Sequence, residues 1–94
     1  MPKLIDYFTV TELVSVKKIS DMDYKKWKWR EQYLNYQCEL FIFESEEKRK
    51  GERYLYFTDH HNYLKTYYGT YKISDNIITM TTQNSIYKFK IIHK

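Results

Sequence analysis

The sequence predicts an all-β protein, an antiparallel meander of six or seven strands that forms a small barrel or a strongly curled sheet. Three observations support this fold class. Apolar and polar residues alternate along much of the chain, with the period of two that sends successive side chains to opposite faces of a strand. Turn sequences separate the alternating segments. Alanine, the best helix former, is absent, while β-branched and aromatic residues are abundant.

At the N-terminus, the spacing of the apolar residues in segment 4–8 predicts a short helical turn. A strand rich in valine and threonine is expected to follow over residues 9–19. Residues 20–23 are interpreted either as a turn or as the start of a helix. In the turn alternative a strand resumes at Lys26, with the two tryptophans on one side and most of the cations on the other.

Residues 33–43 are typical of a central strand. Its apolar face comprises Leu34, Tyr36, Cys38, Leu40 and Ile42. The charged run 44–53 predicts a long hairpin connection to a strand over residues 54–57. Since Cys38 is the single cysteine, an internal disulfide is excluded, and the pattern predicts a buried, unreactive thiol.

The strand register is most sharply defined between Arg53 and Ile92. Two-residue loops at 75–76 and 83–84 set three strands against one another. The inward-facing set is then Tyr71, Ile73, Ile78, Met80, Tyr87 and Phe89. A slip by one residue would expose this whole set to water.

The inward-facing positions are expected to change from even-numbered to odd-numbered at Gly69. A turn over residues 59–62 pairs Phe57 with Leu64, so the inward positions that follow the turn are even-numbered. From Tyr71 onward the inward positions are odd-numbered. The sequence therefore predicts a β-bulge at 69–70, with Gly69 in a left-handed conformation.

The segment from Gly69 to Met80, which follows the strand over residues 55–59, resembles the later hairpins of small bacterial lipocalin-like domains. The resemblance extends over residues 53–92. It supports the β architecture, and it implies an interior that binds a small apolar ligand.

Length and composition set further expectations. A chain of 94 residues is expected to form one small β domain, residues 1–94. The N-terminus lacks the apolar core of a signal peptide, and no eighteen apolar residues occur in succession, so we expect a cytoplasmic protein with no membrane partner. The net charge of +4 is compatible with nucleic acid or an acidic protein as partner, although AT-rich coding accounts for part of the lysine excess.

Two basic segments are the candidate binding sites for a partner or for nucleic acid. The first comprises Lys25, Lys26, Trp27, Lys28, Trp29 and Arg30. Its lysines would contact phosphates and its tryptophans would stack on bases, or its tryptophans would face the core beneath a solvated basic surface. The second comprises Lys48, Arg49, Lys50 and Arg53. It is interpreted as a hairpin tip that its own glutamates neutralise, or as a surface for partner recognition.

The sequence contains no pattern typical of catalysis or of cofactor binding. Cys38 has no adjacent base, and two glycines are too few for a phosphate-binding loop. The run Asp59-His60-His61 lacks the ligand spacing of a zinc site. The sequence therefore predicts a protein that is not an enzyme and that holds no cofactor and no metal.

The expected function is binding. The leading hypothesis is a small protein that engages and blocks a larger host protein or ribonucleoprotein, as a phage or mobile-element inhibitor of a nucleic-acid-handling defence system (anti-CRISPR-like) would. The alternatives are direct binding of single-stranded RNA or DNA, and a lipocalin-like pocket for a small apolar ligand. Monomer and homodimer both remain open, because several apolar residues fall on the nominally polar faces: Ile77, Ile86, Ile92, Phe41 and Phe43.

Overall fold

The computed structural model describes residues 2–46 and 49–94, and within them seven strands, each antiparallel to its neighbours. The strands are β1 (Lys3–Lys18), β2 (Gln37–Glu44), β3 (Arg53–Thr58), β4 (Tyr63–Lys65), β5 (Gly69–Ser74), β6 (Ile77–Thr82) and β7 (Ser85–His93). A short helix, α1 (Tyr24–Trp27), is followed directly by a 3-10 helix (Lys28–Tyr33). The prediction of an all-β antiparallel meander is confirmed.

The strands form a closed ring. Each pairs with the next along the chain except β4 and β5, which both pair with β3, and β7 returns to pair with β1. β1 serves two neighbours: its residues 3–12 pair with β2, and its residues 10–18 pair with β7. Register shifts interrupt both ladders of β1, and such irregularities allow a strand to bend. The expected small barrel is the architecture observed.

The interior of the ring is filled by apolar side chains. The core comprises Phe8, Leu13, Tyr33, Cys38, Leu40, Ile42, Leu55, Phe57, Leu64, Ile78, Met80, Tyr87, Phe89 and Ile91. Every strand except β5 contributes fully buried residues, and Tyr71 of β5 packs against the cluster. Burying a leucine, isoleucine or phenylalanine side chain contributes roughly 1.5–3 kcal/mol, so this interior is the main source of stability.

The register predicted for the C-terminal hairpins is confirmed. The observed pairs are Ile73 with Ile78, Tyr71 with Met80, Met80 with Tyr87, Ile78 with Phe89, and Phe57 with Leu64. Asp75 and Asn76 have φ angles of 52° and 62°, as the type I′ turn of a two-residue loop requires. Ile73 is nevertheless 44% exposed, because it lies two residues from that turn.

The predicted left-handed conformation of Gly69 is wrong, since Gly51, with φ +87°, is the glycine that adopts one. Gly69 is required for a different reason. A Cβ atom at this position would lie 2.0 Å from the carbonyl oxygen of Thr81, a backbone atom that cannot move aside. The change from even-numbered to odd-numbered inward positions takes place over residues 66–68, which lie between β4 and β5 and belong to neither strand.

The N-terminal helical turn predicted for residues 4–8 is also wrong, because this segment is paired with β2. The strand expected to resume at Lys26 is absent, since residues 24–33 are helical. Asp23 explains the helix start: its Oδ1 accepts a hydrogen bond of 3.0 Å from the backbone N–H of Lys25, the usual role of an N-cap residue. In the described part of the chain, no helix has the length and apolar character needed to cross a membrane.

The central strand predicted from residue 33 begins instead at Gln37. Its inward residues Cys38, Leu40 and Ile42 are buried as predicted, whereas Leu34 and Tyr36 precede the strand. The chain turns just before it at Asn35, which has a φ angle of 71°. The backbone N–H of Asn35 donates a hydrogen bond of 2.8 Å to the carbonyl oxygen of Leu13, which ties this turn to β1.

The helical segment 24–33 packs over one end of the barrel and contributes the buried residues Trp27, Arg30 and Tyr33. The indole N–H of Trp27 donates a hydrogen bond of 2.8 Å to Ser85 Oγ at the start of β7. Arg30 Nε donates one of 3.1 Å to the hydroxyl of Tyr87 in the interior. These bonds join the helical segment to β7.

Arg30 is a buried cation, only 6% exposed. Its Nη1 donates a hydrogen bond to the carbonyl oxygen of Trp27, and its Cζ lies 4.6 Å from the centre of a ring of Trp29. The ion pairs found within residues 2–46 and 49–94 do not include Arg30. Aromatic faces and hydrogen-bond acceptors therefore replace the carboxylate that usually accompanies a buried arginine.

We expect Gly69→Ala to lower the free energy of unfolding by about 3 kcal/mol, because the new methyl group would collide with the Thr81 carbonyl. Gly51→Ala is the matched control. No atom of residues 2–46 or 49–94 lies within 4 Å of a Cβ at Gly51, so its left-handed backbone is the feature that opposes alanine, at a cost of about 1 kcal/mol. Urea unfolding measures both values. Equal losses in the two variants would contradict the steric explanation.

We expect Tyr87→Phe to destabilise the protein by about 1–3 kcal/mol, because it leaves the buried Arg30 Nε without its acceptor. In the Arg30→Met background the same change should cost less than about 1 kcal/mol, since the donor is no longer present. Chemical unfolding of the four proteins completes a double-mutant cycle. Strictly additive losses would show that the Arg30–Tyr87 bond does not contribute to stability.

Candidate interaction surface

The outer side of β1 to β4 carries aromatic side chains. Side chains alternate between the interior and the exterior of a barrel, and because Leu40 and Leu55 fill the interior, the residues beside them in the sequence face outward. We call this surface the aromatic face. It comprises Tyr7, Phe41, Phe43, Tyr54, Tyr56 and Tyr63.

The strand register brings these rings together. Phe41 pairs with Tyr7 on one side and with Tyr56 on the other, and Phe43 pairs with Tyr54. The ring centroids are 4.8 Å apart for Tyr7 and Phe41, 6.3 Å for Phe41 and Tyr56, 5.4 Å for Tyr56 and Tyr63, and 5.4 Å for Phe43 and Tyr54. Aromatic pairs at these separations contribute about 0.5–1.5 kcal/mol each beyond area burial, so the rings form one packed layer.

This layer is only partly shielded from water. Tyr63 is 57% exposed, and Leu4, which pairs with Phe43, is 49% exposed. Phe41 and Tyr56 are half-buried by their neighbours. A pocket of about 320 Å³ opens beside the layer, lined by Phe41, Tyr56 and Tyr63 together with Thr58, His60, His61 and Asn62. Tyr54 is only 9% exposed, so the accessible part of the face is formed by Tyr63 and the half-buried rings, and the pocket gives it a concave edge.

Glu39 links the aromatic face to the turn between β3 and β4. Its carboxylate accepts a hydrogen bond from the hydroxyl of Tyr7 and pairs with Nε2 of His60. The Tyr7 bond, with the His60 contact, holds the pKa of Glu39 below its ordinary value, and the same bond raises the pKa of Tyr7. Glu39 is therefore ionised at neutral pH, and it joins three separate elements at the rim of the pocket.

The β3–β4 turn itself has a defined conformation. Asp59 Oδ1 accepts hydrogen bonds from the backbone N–H groups of His61 and Asn62, at 2.9 and 2.7 Å. These bonds lower the pKa of Asp59, and they stabilise the turn in the way expected of aspartate. His60 has a φ angle of 75°. The two histidines are therefore presented at the pocket by a turn of fixed shape. Among the described residues, no three His, Cys, Asp or Glu side chains form a group suited to a metal ion.

The first predicted binding segment does not form a single surface. Lys25, Lys26 and Lys28 are exposed. Trp27 is 2% exposed and Arg30 6% exposed, whereas Trp29 is 41% exposed. Because the segment is helical, the two tryptophans do not share a face, and the alternation of cations with stacking rings predicted for a strand is lost.

In the second predicted segment, Lys48 lies outside the described residues. Arg49 and Lys50 are exposed at the hairpin tip, and Arg49 pairs with Glu52 at 3.1 Å. Arg53 pairs with Glu44 at 3.2 Å and its Cζ lies 5.5 Å from the ring centre of Tyr71. The expected neutralisation of this tip by its own glutamates is observed for both arginines.

Cys38 is buried, as the sequence predicted. Burial raises the pKa of its thiol to about 11. The thiol is therefore protonated at neutral pH, which is the unreactive state expected of a buried cysteine.

Sequence reasoning did not identify the aromatic face as a site. The signal was present in the alternation of residues 41–43 and 54–56, where both the inward and the outward positions are apolar or aromatic. The sequence predicts that Phe41 and Phe43 mark a second core layer or an interface, and that Tyr54 and Tyr56 are packing or interface residues. The observed N-terminal segment does not cover them, because it forms β1 of the barrel itself.

The fold and the aromatic face define a small antiparallel β-barrel with aromatic side chains on one side of its exterior. No family profile, curated protein or solved structure matches this chain. The resemblance of residues 53–92 to lipocalin-like domains therefore stays a prediction.

We expect Tyr7→Phe to raise the pKa of Glu39, because the Tyr7 hydroxyl is the largest cause of its lowered value. A lowered carboxylate pKa contributes stability above the unfolded-state pKa, and that stability is lost as the pH falls through the folded-state value. Tyr7→Phe should therefore weaken the loss of stability on acidification. NMR titration of the Glu39 carboxyl carbon measures the shift. Tyr24→Phe, which removes a similar bond to Glu31, is the control and should leave the titration of Glu39 unchanged. An unchanged Glu39 midpoint in Tyr7→Phe would contradict the assignment.

Proposed function

We propose that this protein is a non-enzymatic binding protein whose aromatic face docks onto a larger protein. The observation that carries the proposal is the layer of six rings on the outside of the barrel, of which Tyr63 is 57% exposed. Water would be displaced from these rings on association, and burial of aromatic area is the dominant favourable contribution at most interfaces.

The chemistry of the face favours a protein partner. Tyrosine is among the residues that contribute most to binding energy at protein interfaces, because it buries a large ring at a small cost in side-chain entropy. Charged residues are depleted at the centres of such interfaces. The charged side chains on this face are Glu39, which Tyr7 and His60 engage, and Lys65, whose Nζ lies 4.9 Å from the ring centre of Tyr54.

A surface interaction is also better supported than an interior ligand. The residues that line the inside of the barrel, such as Leu40, Leu55 and Phe89, have no exposed surface. The pockets of about 310–460 Å³ found in the described part of the chain are lined instead by residues of the turns, the hairpins and the outer faces. A lipocalin-like ligand would have to displace packed side chains, which is costly in a core of native density.

The narrower prediction is a phage or mobile-element inhibitor of a host defence system, acting in the cytoplasm on a protein or ribonucleoprotein. Small size, the aromatic face and the expected lack of catalytic function are compatible with an inhibitor that blocks a partner by covering it. A defence ribonucleoprotein recovered as partner would support this class, and a partner from central metabolism would contradict it.

The test is a pulldown from bacterial lysate with three immobilised proteins: the wild type, Tyr63→Ala and Tyr67→Ala. Tyr67 is the matched control, since it is 59% exposed but lies outside the aromatic face. Quantitative mass spectrometry should find a protein retained by the wild type and by Tyr67→Ala, and depleted with Tyr63→Ala. Titration with the recovered partner should show a 10- to 30-fold weaker affinity for Tyr63→Ala, the range expected when an interface hot spot is truncated.

Two results would overturn the proposal. One is the recovery of no protein from the native host and its relatives. The other is a partner retained equally well by all three proteins. Sedimentation of the free wild-type protein is the control for self-association, because a homodimer formed through the aromatic face would conceal it from any other partner.

A further inference from the structure

The other half of the barrel exterior has the opposite character. The outward-facing side chains of β5, β6, β7 and the second half of β1 include four exposed lysines, Lys17, Lys72, Lys88 and Lys90. The positions between them are held by small hydroxyl residues, Ser15, Thr70, Thr79 and Thr81. We call this surface the lysine face.

The register arranges these residues in rows across the sheet. Lys72 pairs with Thr79, Thr79 with Lys88, and Lys88 with Ser15. A parallel row runs from Thr70 through Thr81 and Ile86 to Lys17. From strand geometry, Lys88 and Lys90 are about 7 Å apart and Lys72 and Lys88 about 10 Å apart. These separations are comparable to the Debye length of about 8 Å at physiological salt, so the potentials of neighbouring lysines partly add.

The net charge of the protein arises from the C-terminal part of the chain. Residues 1–59 contain eleven cationic and eleven acidic side chains, whereas residues 60–94 contain five lysines and one aspartate. Of these five, Lys72, Lys88 and Lys90 lie on the lysine face, whereas Lys65 lies beside Tyr54 on the aromatic face. A coding bias toward lysine would not by itself remove carboxylates from one half of a barrel. The strands β5, β6 and β7 contain no aspartate or glutamate.

Little on this face neutralises the lysines. The ion pairs found among residues 2–46 and 49–94 involve Arg49, Arg53 and His60. Glu12 pairs with Lys90 in the ladder, and its side chain accepts a hydrogen bond from Gln37. The lysine face therefore presents a net positive charge, which the carboxylate of Glu12 beside Lys90 reduces but does not cancel.

We propose that the lysine face binds the phosphodiester backbone of nucleic acid without reading its sequence. Lysine ammonium groups and serine or threonine hydroxyls are the side chains that contact phosphate oxygens in such complexes. A pocket of about 390 Å³ lies within the face, lined by Thr70, Tyr71, Lys72, Thr79 and Thr81. The face has no arginine, the residue that most often reads base edges, so recognition is confined to the backbone.

Nucleic acid fits this surface better than an acidic protein does. Protein interfaces are depleted in lysine and enriched in aromatic residues and arginine, and that description matches the aromatic face instead. The apolar residues on the lysine face are Ile77 and Ile86, which are partly buried, and Val14 and Ile92, which are 38% and 37% exposed. The proposal does not depend on the aromatic face, because the two surfaces use different residues.

The test is fluorescence anisotropy with a labelled 20-nucleotide oligothymidylate as single-stranded probe, and the same strand annealed to its complement as duplex probe. Wild-type protein should bind at least one of them at 50 mM salt, with an affinity that falls steeply as salt increases. The variant Lys72→Gln/Lys88→Gln/Lys90→Gln should bind at least tenfold more weakly. Each lost phosphate contact makes the negative slope of log K against log salt shallower by about 0.7 for single strands, so the slope for the single-stranded probe should become less negative by about 2.

The matched control is Lys25→Gln/Lys26→Gln/Lys28→Gln, which removes the same charge from exposed positions of the helical segment. Its affinity and slope should remain those of the wild type. All six lysines are exposed, and circular dichroism with thermal unfolding confirms that both variants are folded.

Three results would overturn the proposal. The first is no wild-type binding to either probe at 50 mM salt. The second is an equal loss in both triple variants, which would reflect net charge alone. The third is displacement of the probe by poly-glutamate at the same concentration of charge, which would identify an acidic polypeptide as the occupant.

Discussion

Closure of the ring through β1 is the constraint on which the rest of the structure depends. Its 16 residues pair first with β2 and then with β7, and the register shifts allow it to bend from one neighbour to the other. Closure protects sheet edges that would otherwise be open to aggregation, and it encloses one interior that a chain of this size can fill. The pairing between β3 and β5 is the shortest in the ring, because in the described part of the chain it consists of the one residue pair Arg53 with Gly69. The close approach of Gly69 to the Thr81 backbone lies at this same point.

The helical segment 24–33 completes the enclosure at one end, and it does so with an unusual set of groups. A tryptophan donates to a buried serine, and a buried arginine donates to an interior tyrosine. These polar contacts join the segment to β7 without a carboxylate partner among the residues described. Trp27 and Arg30 therefore belong to the architecture of the barrel, and the lysines beside them remain solvated.

A closed barrel has an exterior whose two halves can differ, and here they do. The aromatic face carries rings and few charges, whereas the lysine face carries cations separated by hydroxyl groups. In the two proposals the first half binds protein and the second binds nucleic-acid backbone. A partner that contains both, such as the ribonucleoprotein expected from the sequence, would contact the molecule on two sides. The hydrophobic contribution would then set most of the affinity, and the charged half would mainly steer association.

The C-terminal hairpins could be derived from the residues alone, because a two-residue loop and a period of two leave only one register that buries the apolar set. Pairing of Ile78 with Phe89 needed no knowledge of distant segments. Residues 3–8 form a strand because they pair with residues of β2 that lie 32 to 41 positions further along the chain, and no local pattern encodes such a partner. The helix at 24–27 is one of the two alternatives that residues 20–23 allowed, and the N-cap at Asp23 is the interaction that favours it. The aromatic face could not be predicted without the pairing of β1 to β4, because residues from separate strands form a surface only when the sheet has been assembled. Local alternation therefore determined which side of each C-terminal strand is buried, and tertiary pairing alone decided what the exposed sides form together.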